Sequence, residues 1–145
     1  FTPGLSTVTF NGTGGAQIVG GSSITDFNNI TINNSLTVNL AQHENLINTL
    51  TISAGSFTTT GFNFTLKSTA SSTARIAAIP GTSNFVGNII MERYTGSGPT
   101  DWRFLSPAVS GATIADWADD FGTSGFAGST QPGSSFVSIY LEWFP

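Results

Sequence analysis

The densest group of acidic side chains in the sequence is a candidate calcium site. Asp116, Asp119 and Asp120 fall within one short segment, and Asp101 precedes them. Carboxylate oxygens are ligands that Ca²⁺ prefers in proteins, so these residues are the candidate metal ligands. The segment lacks the alternating Asp-x-Asp-x-Asp-Gly pattern of a dedicated calcium loop, and surface acids at the start of a helix are the alternative interpretation.

Aromatic side chains in the same part of the chain could stack against sugar rings. All three tryptophans and both tyrosines follow Gly87, and Trp102 and Trp117 are the candidate glycan ligands among them. The alternative is a core, because Trp102 and Phe104 alternate as strand residues do and Trp117 lies among small apolar residues. This pattern favours burial of the aromatic side chains in a core over their exposure as a sugar-binding surface.

Asp26 and Glu44 are the pair of acids to consider for catalysis. They lie 18 residues apart, and solenoids that cleave polysaccharides project acids from neighbouring coils. The alternative is that the two acids belong to turns. His43 is the only histidine, and its polar surroundings contain no nucleophile motif, which predicts a solvated turn residue. The sequence therefore predicts a protein that is not an enzyme and that needs no cofactor apart from the calcium considered above.

The composition favours an all-β protein with uncharged polar faces. The chain has 145 residues, of which 39% are hydrophobic and 8% are charged, against about 25% charged residues in typical globular domains. A net charge of −4 with only four cationic residues argues against nucleic-acid binding. The chain has no cysteine, and no apolar run approaches the ~20 residues of a membrane span, which predicts no membrane insertion.

Short runs of alternating apolar residues and threonine predict the elements that must position these candidates. The clearest runs are Val8-Thr9-Phe10, Ile30-Thr31-Ile32, Leu36-Thr37-Val38, Leu50-Thr51-Ile52 and Phe64-Thr65-Leu66. Gly and Asn pairs between the runs are turn residues. No segment keeps an apolar period of 3.6 residues over three turns.

The runs recur at an interval near 20 residues. Val8, Ile30 and Leu50 are 22 and 20 residues apart, and a second series places Ile18, Val38 and Thr58 at intervals of 20. Such a period suits one coil of a right-handed parallel β-helix, in which coils stack ~4.8 Å apart and bury an apolar column. An antiparallel β-sandwich, whose strands also recur regularly, is the alternative.

The pattern divides the chain into two parts. We expect β-solenoid coils over residues 1–94 and an irregular, aromatic-rich β module or cap over residues 95–145. Residues 122–135 are rich in Gly and Ser and predict a long exposed loop. Residues 138–145 read as a mostly apolar strand without polar closure, so we expect the chain to be truncated at its C-terminus.

Several segments together resemble a known protein family. They are Ser6-Thr7-Val8-Thr9-Phe10-Asn11-Gly12, Phe27-Asn28-Asn29-Ile30-Thr31-Ile32-Asn33-Asn34, Phe62-Asn63-Phe64-Thr65-Leu66, Glu92-Arg93-Tyr94 and Trp102-Arg103-Phe104-Leu105-Ser106-Pro107. In their order and spacing the chain resembles the large secreted surface proteins of the Bacteroidetes that carry β-helix-like repeats and leave through the type IX secretion system. The resemblance implies a secreted protein at the bacterial cell surface that is adhesin-like.

The function expected from the sequence is structural. We expect a rigid spacer or a fibre-forming unit whose partners are cell-surface or secretion-system proteins, or copies of itself joined end to end. The alternatives are a carbohydrate-binding module, a carbohydrate-cleaving one, or cargo of the secretion machinery. These alternatives differ in whether the aromatic and acidic candidates bind a ligand.

Overall fold

The computed structural model describes residues 2–96, residue 113, residues 122–125, residue 127 and residues 129–133. Within these ranges the chain forms eight strands and no helix. The strands are β1 (Thr7–Phe10), β2 (Gln17–Val19), β3 (Asp26–Leu40), β4 (Glu44–Thr58), β5 (Phe64–Leu66), β6 (Arg75–Ile76), β7 (Asn84–Val86) and β8 (Ile90–Met91).

Every ladder between these strands is parallel. In the first coil, β1 and β2 pair with the two halves of β3, which forms the second coil. β3 pairs along its length with β4, the third coil. β5, β6 and β7 of the fourth coil pair with three successive parts of β4, and β8 pairs with β5. Residues 2–96 thus form a β-solenoid of about four turns, as predicted, and the antiparallel sandwich is wrong for this part of the chain.

One of the two residue series that predicted the coils is in register, and the other is not. Val8 lies opposite Ile30 and Ile30 opposite Leu50, which confirms the first series. In the second, Ile18 lies opposite Asn39 and not opposite Val38, because this part of the coil is one residue longer than 20. Ile18 consequently points outward and is 70% exposed.

The inward side chains form a continuous apolar column. Strand residues alternate between the inside and the outside of the coil, so Ile30 and Ile32 are buried on either side of the outward Thr31. The fully buried members are Ile32, Val38, Leu46, Leu50, Ile52, Phe57, Phe64 and Leu66. The Phe57 ring contacts Phe64 and Phe85 edge to face, with centroids 5.1 and 5.9 Å apart. Coils two to four therefore share one core.

The corner between the two halves of β3 and β4 depends on Asn34 and Gly55. Asn34 is buried, and its Nδ2 donates to the Gly15 carbonyl of the first coil at 2.9 Å. Its Oδ1 accepts from the Leu36 N–H at 2.9 Å. In the next coil Gly55 has φ +72°, and a Cβ there would lie 1.9 Å from the Asn34 carbonyl oxygen. Only glycine fits this conformation and this close approach.

The chain divides into two compact units, Phe1–Asp101 and Trp102–Pro145. In the second unit, Thr123 and Thr130 exchange hydrogen bonds between backbone N–H groups and hydroxyls at 2.8 and 3.1 Å. Thr123 and Ser129 are buried, so the exposed loop predicted over residues 122–135 is wrong at these two positions. Across the described residues we find no helix with the length and apolar character of a membrane span.

Candidate functional site

The calcium and glycan candidates lie outside the described residues. They are Asp101, Asp116, Asp119 and Asp120 for the metal, and Trp102 and Trp117 for the sugar. Both sites therefore stay predictions. Among the residues that the structure describes, no three side chains of the His, Asp or Glu type lie close enough to hold a metal ion.

Asp26 and Glu44 lie on adjacent coils, as predicted, but on opposite sides of the coil wall. Asp26 is exposed and lies opposite Asn45, whose Nδ2 donates to Asp26 Oδ1 at 2.7 Å. Glu44 precedes Asn45 in the strand, so its side chain points the other way, and it is 1% exposed. The two carboxylates therefore do not share a surface, and the structure does not bring them together as a pair.

The carboxylate of Glu44 joins two coils at a corner. Its Oε2 accepts from the Thr25 N–H at 2.6 Å, and its Oε1 accepts from Gln42 Nε2 at 2.6 Å. Gln42 Nε2 also donates to the Ser23 carbonyl at 2.6 Å. Both oxygens of the buried carboxylate are thus hydrogen-bonded, as a buried charge requires. Glu44 has a structural role in holding the turn before β3 against the turn before β4.

We expect Glu44→Gln to lower the free energy of unfolding by about 1–3 kcal/mol. Glutamine has one acceptor where glutamate has two, so its amide N–H₂ would face a donor, either the Thr25 N–H or the Gln42 amide. Urea unfolding at neutral pH, followed by circular dichroism, measures the change. Asp26→Asn is the control and should stay within about 0.5 kcal/mol of the unsubstituted chain. Equal stability of both variants would contradict the assigned role of Glu44.

His43 is exposed, as predicted, but it is tied to the next coil. Its Nδ1 accepts from the Asn63 N–H at 2.8 Å, and its ring packs edge-on against Phe62 with centroids 5.9 Å apart. The hydrogen bond occupies the Nδ1 lone pair, which a catalytic base would need free or directed at a nucleophile. His43 therefore joins coils rather than forming a triad within the described residues.

An ion pair between Lys67 and Glu92 joins the fourth coil to the strand above it. The Lys67 ammonium contacts Glu92 Oε1, and the Ser68 N–H donates to Glu92 Oε2 at 3.1 Å. Burial alone would raise the pKa of Glu92, but these hydrogen bonds and the Lys67 charge outweigh burial and leave the pKa below its ordinary value. The stabilisation is present at neutral pH and is lost as the pH falls through that lowered pKa. It is small, because both side chains are about a third exposed.

A depression of about 250 Å³ lies at the turn that leads from β4 to β5. Thr59 Oγ1 donates to the Asn88 carbonyl there at 2.8 Å, and Gly87 has φ +111°. The lining residues are Thr59, Thr60, Gly61, Phe62, Asn63, Gly87 and Asn88. None of them carries a charge, so the depression offers hydrogen bonds and one aromatic ring but no acid–base chemistry.

The outward side chains of the coils form polar columns along the solenoid axis. Thr9, Thr31 and Thr51 lie in one column, and Asn29 lies beneath Thr49 in the next. Asn48 Nδ2 donates to Asn29 Oδ1 at 3.0 Å, so amides of neighbouring coils are bonded to each other here. In the first three coils these two columns are therefore built from hydroxyl and amide groups.

The first coil forms one edge of the sheet, at the end of the solenoid where the sequence led us to expect end-to-end contacts. β1 and β2 pair with β3 on one side, and no strand of the described residues pairs with their other edges. Residues 2–25 contain no Asp, Glu, Lys or Arg. Natural sheet edges usually carry such charges to prevent pairing. Comparison with known proteins found no relative: no family model, curated protein or solved structure matches the chain.

Proposed function

We propose that this chain is a rigid structural segment of an exported bacterial cell-surface protein. The observation that carries the proposal is the continuity of the stack. The column Thr7, Asn29, Thr49 and Arg75 stays in parallel register from the first coil to the fourth. Such a segment spaces and presents other modules, and it takes cell-surface or secretion-system proteins as partners.

The mechanism of a spacer is geometric. Each coil adds about 4.8 Å along the axis, and the hydrogen bonds between strands run in that direction. Bending the stack would separate inward side chains of neighbouring coils such as Ile32 and Ile52, which lie opposite each other and have no exposed area. Stiffness along the axis thus follows from the same packing that folds the chain.

Two further observations support a role that is not catalytic. The acids that suggested catalysis, Asp26 and Glu44, hydrogen-bond to neighbouring coils, and His43 does the same. The outer columns of Thr and Asn keep the segment hydrated with few charges, as the composition predicts. The location at the cell surface, and an adhesin-like role there, rest on the family resemblance.

The rigidity can be measured with spin labels, because the chain has no cysteine of its own. Thr7→Cys and Arg75→Cys place two labels in one outward column, three coils apart, or about 14 Å between backbones. We expect a single narrow distance between the labels when the labelled chain is diluted in excess unlabelled chain. The pair Thr7→Cys and Thr49→Cys, one coil shorter, is the control. A broad distribution for the longer pair alone would overturn the role as a spacer.

The location requires a separate test. Antibodies raised against the chain should label intact cells of a bacterium that produces the full protein, and external protease should remove the label. Labelling only after the cells are permeabilised would contradict the proposed location. A glycan array distinguishes the carbohydrate-binding alternative: binding that is lost in Trp102→Ala or Trp117→Ala would replace the structural role with a ligand-binding one.

A further inference from the structure

Two turns from successive coils form the walls of the depression at the β4–β5 turn. One wall is the turn over residues 59–63, and the other is the turn between β7 and β8, which contains Gly87 and Asn88. Gly87 lets the two turns meet, because a Cβ there would lie 2.5 Å from Thr59 Oγ1 and 3.0 Å from the Thr60 nitrogen. The depression is therefore formed by backbone segments that pack closely against each other.

Hydrogen bonds to neighbouring coils hold both walls in place. Thr59 donates its N–H to the Val86 carbonyl and its hydroxyl to the Asn88 carbonyl, each at 2.8 Å. The Asn63 N–H donates to His43 Nδ1 at 2.8 Å. Because the backbone of the depression is already ordered, a ligand would lose little binding free energy in ordering it.

Three side chains in the depression carry hydrogen-bonding groups that the protein does not use. Thr60, Asn63 and Asn88 are exposed. Within the part of the chain that the structure describes, the Thr60 hydroxyl and the side-chain amides of Asn63 and Asn88 form no hydrogen bond to another protein group. Each amide presents donors and an acceptor, so it can bond to a hydroxyl group in either direction.

The depression also has one apolar surface and no charge. Phe62 lines it and is only partly buried against the core. A sugar ring suits this combination, because it has an apolar C–H face that packs on an aromatic ring and a rim of hydroxyl groups. None of the lining residues is charged, so nothing would pair with a phosphate, a carboxylate or an amine.

The size of the depression limits the ligand further. Its volume of about 250 Å³ lies below the range of about 300–1,000 Å³ for pockets that hold drug-sized ligands. A single sugar ring is smaller than such ligands. The depression therefore suits one residue of a glycan whose other residues extend into solvent.

We propose that this depression binds a neutral sugar residue of a glycan. Phe62 packs against the apolar face of the sugar ring, and the amides of Asn63 and Asn88 exchange hydrogen bonds with its hydroxyl groups. The site goes beyond the role as a spacer, which needs no ligand. It would let a segment that presents other modules also hold a carbohydrate surface.

A titration followed by nuclear magnetic resonance tests the site on the whole chain. The probes are the methyl glycosides of glucose, galactose, mannose, rhamnose and N-acetylglucosamine, with that of glucuronic acid as the charged comparison. We expect a neutral glycoside to shift the side-chain amide signals of Asn63 and Asn88 with a roughly millimolar dissociation constant, from about 0.3 kcal/mol per non-hydrogen atom. No such shift with any neutral glycoside, or equal binding of the glucuronide, would overturn the proposal.

Asn63→Ala and Asn88→Ala test the two hydrogen-bonding side chains. Neither amide bonds to the protein, so both variants should keep the circular dichroism spectrum of the unsubstituted chain. Each should raise the dissociation constant by about two- to twelvefold, the factor for one hydrogen bond. Asn84→Ala is the matched control, because Asn84 is an exposed asparagine of β7 outside the depression. Unchanged binding in both test variants, or an equal loss in the control, would contradict the site.

Phe62→Leu and Phe62→Tyr test the ring. Leucine keeps an apolar side chain against the core but removes the ring, so it should weaken binding by about two- to twelvefold, whereas tyrosine should keep it. Equal binding by the leucine variant and the unsubstituted chain would contradict the ring contact. Binding that is lost only in Trp102→Ala or Trp117→Ala would overturn the proposal. A chain that binds no glycoside but keeps the narrow label distance between Thr7 and Arg75 would reject the sugar site and leave the spacer role intact.

Discussion

Replacing Gly55 with alanine is expected to lower the free energy of unfolding by about 4 kcal/mol or more, in the range reserved for severe backbone or packing defects. Gly55 has φ +72°, and a Cβ would lie 1.9 Å from the Asn34 carbonyl oxygen and 2.7 Å from that of Leu36. Both obstacles are backbone atoms of the neighbouring coil, so relief requires the two coils to separate at this corner. Chemical unfolding followed by circular dichroism measures the loss.

Gly61→Ala separates the two causes of that loss. Gly61 also has a positive φ, +85°, but no atom lies within 4 Å of the position that its Cβ would occupy. Its substitution should cost only the conformational strain of about 1–2 kcal/mol. If Gly55→Ala lowers the free energy of unfolding no more than Gly61→Ala does, the second and third coils do not approach each other as closely as the structure shows.

Phe57→Ala is expected to lower the free energy of unfolding by about 3–5 kcal/mol. Phe57 has no exposed area and contacts the rings of Phe64 and Phe85 edge to face. Truncation would remove both ring contacts and leave a cavity that the surrounding strands cannot fill without shifting their ladders. Urea unfolding at constant temperature gives the free energy, and an unchanged dependence on urea concentration would show that the fold persists.

The matched control for Phe57→Ala is Ile18→Ala. Ile18 is a large apolar residue of the same solenoid face, but it points outward and is 70% exposed. Its truncation should change the free energy of unfolding by no more than about 0.5 kcal/mol. A loss at Ile18 as large as the loss at Phe57 would mean that the inward and outward columns are misassigned.

The sequence predicted the solenoid because its strand runs alternate cleanly and recur at nearly constant intervals. It predicted the register of one column and not of the other, because the number of residues in a coil varies along the chain. The intervals between paired residues are 22 for Thr7 and Asn29, 20 for Asn29 and Thr49, and 26 for Thr49 and Arg75. A period of 20 therefore assigned the outward Ile18 to the column of the inward Val38. An error of one residue moves a side chain across the coil wall.

The candidate site shows the same limit. Spacing correctly placed Asp26 and Glu44 on adjacent coils, yet their side chains differ by one position in the alternation and point to opposite sides. The burial of Glu44 had no sequence signal, since its partners are the Thr25 N–H and the Gln42 amide, groups that occur at many turns. Asn34 and Gly55 were equally hidden, because their roles depend on contacts with the neighbouring coil.

The outward columns of threonine and asparagine should make the stability of the solenoid nearly independent of salt concentration. Dissolved salt weakens attractions and repulsions between exposed charges, and it does so more strongly as ionic strength rises. The column of Thr9, Thr31 and Thr51 carries no charge that salt could screen, and its hydroxyl groups are hydrated without counterions. The solenoid should therefore keep nearly the same stability at low and at high salt concentration.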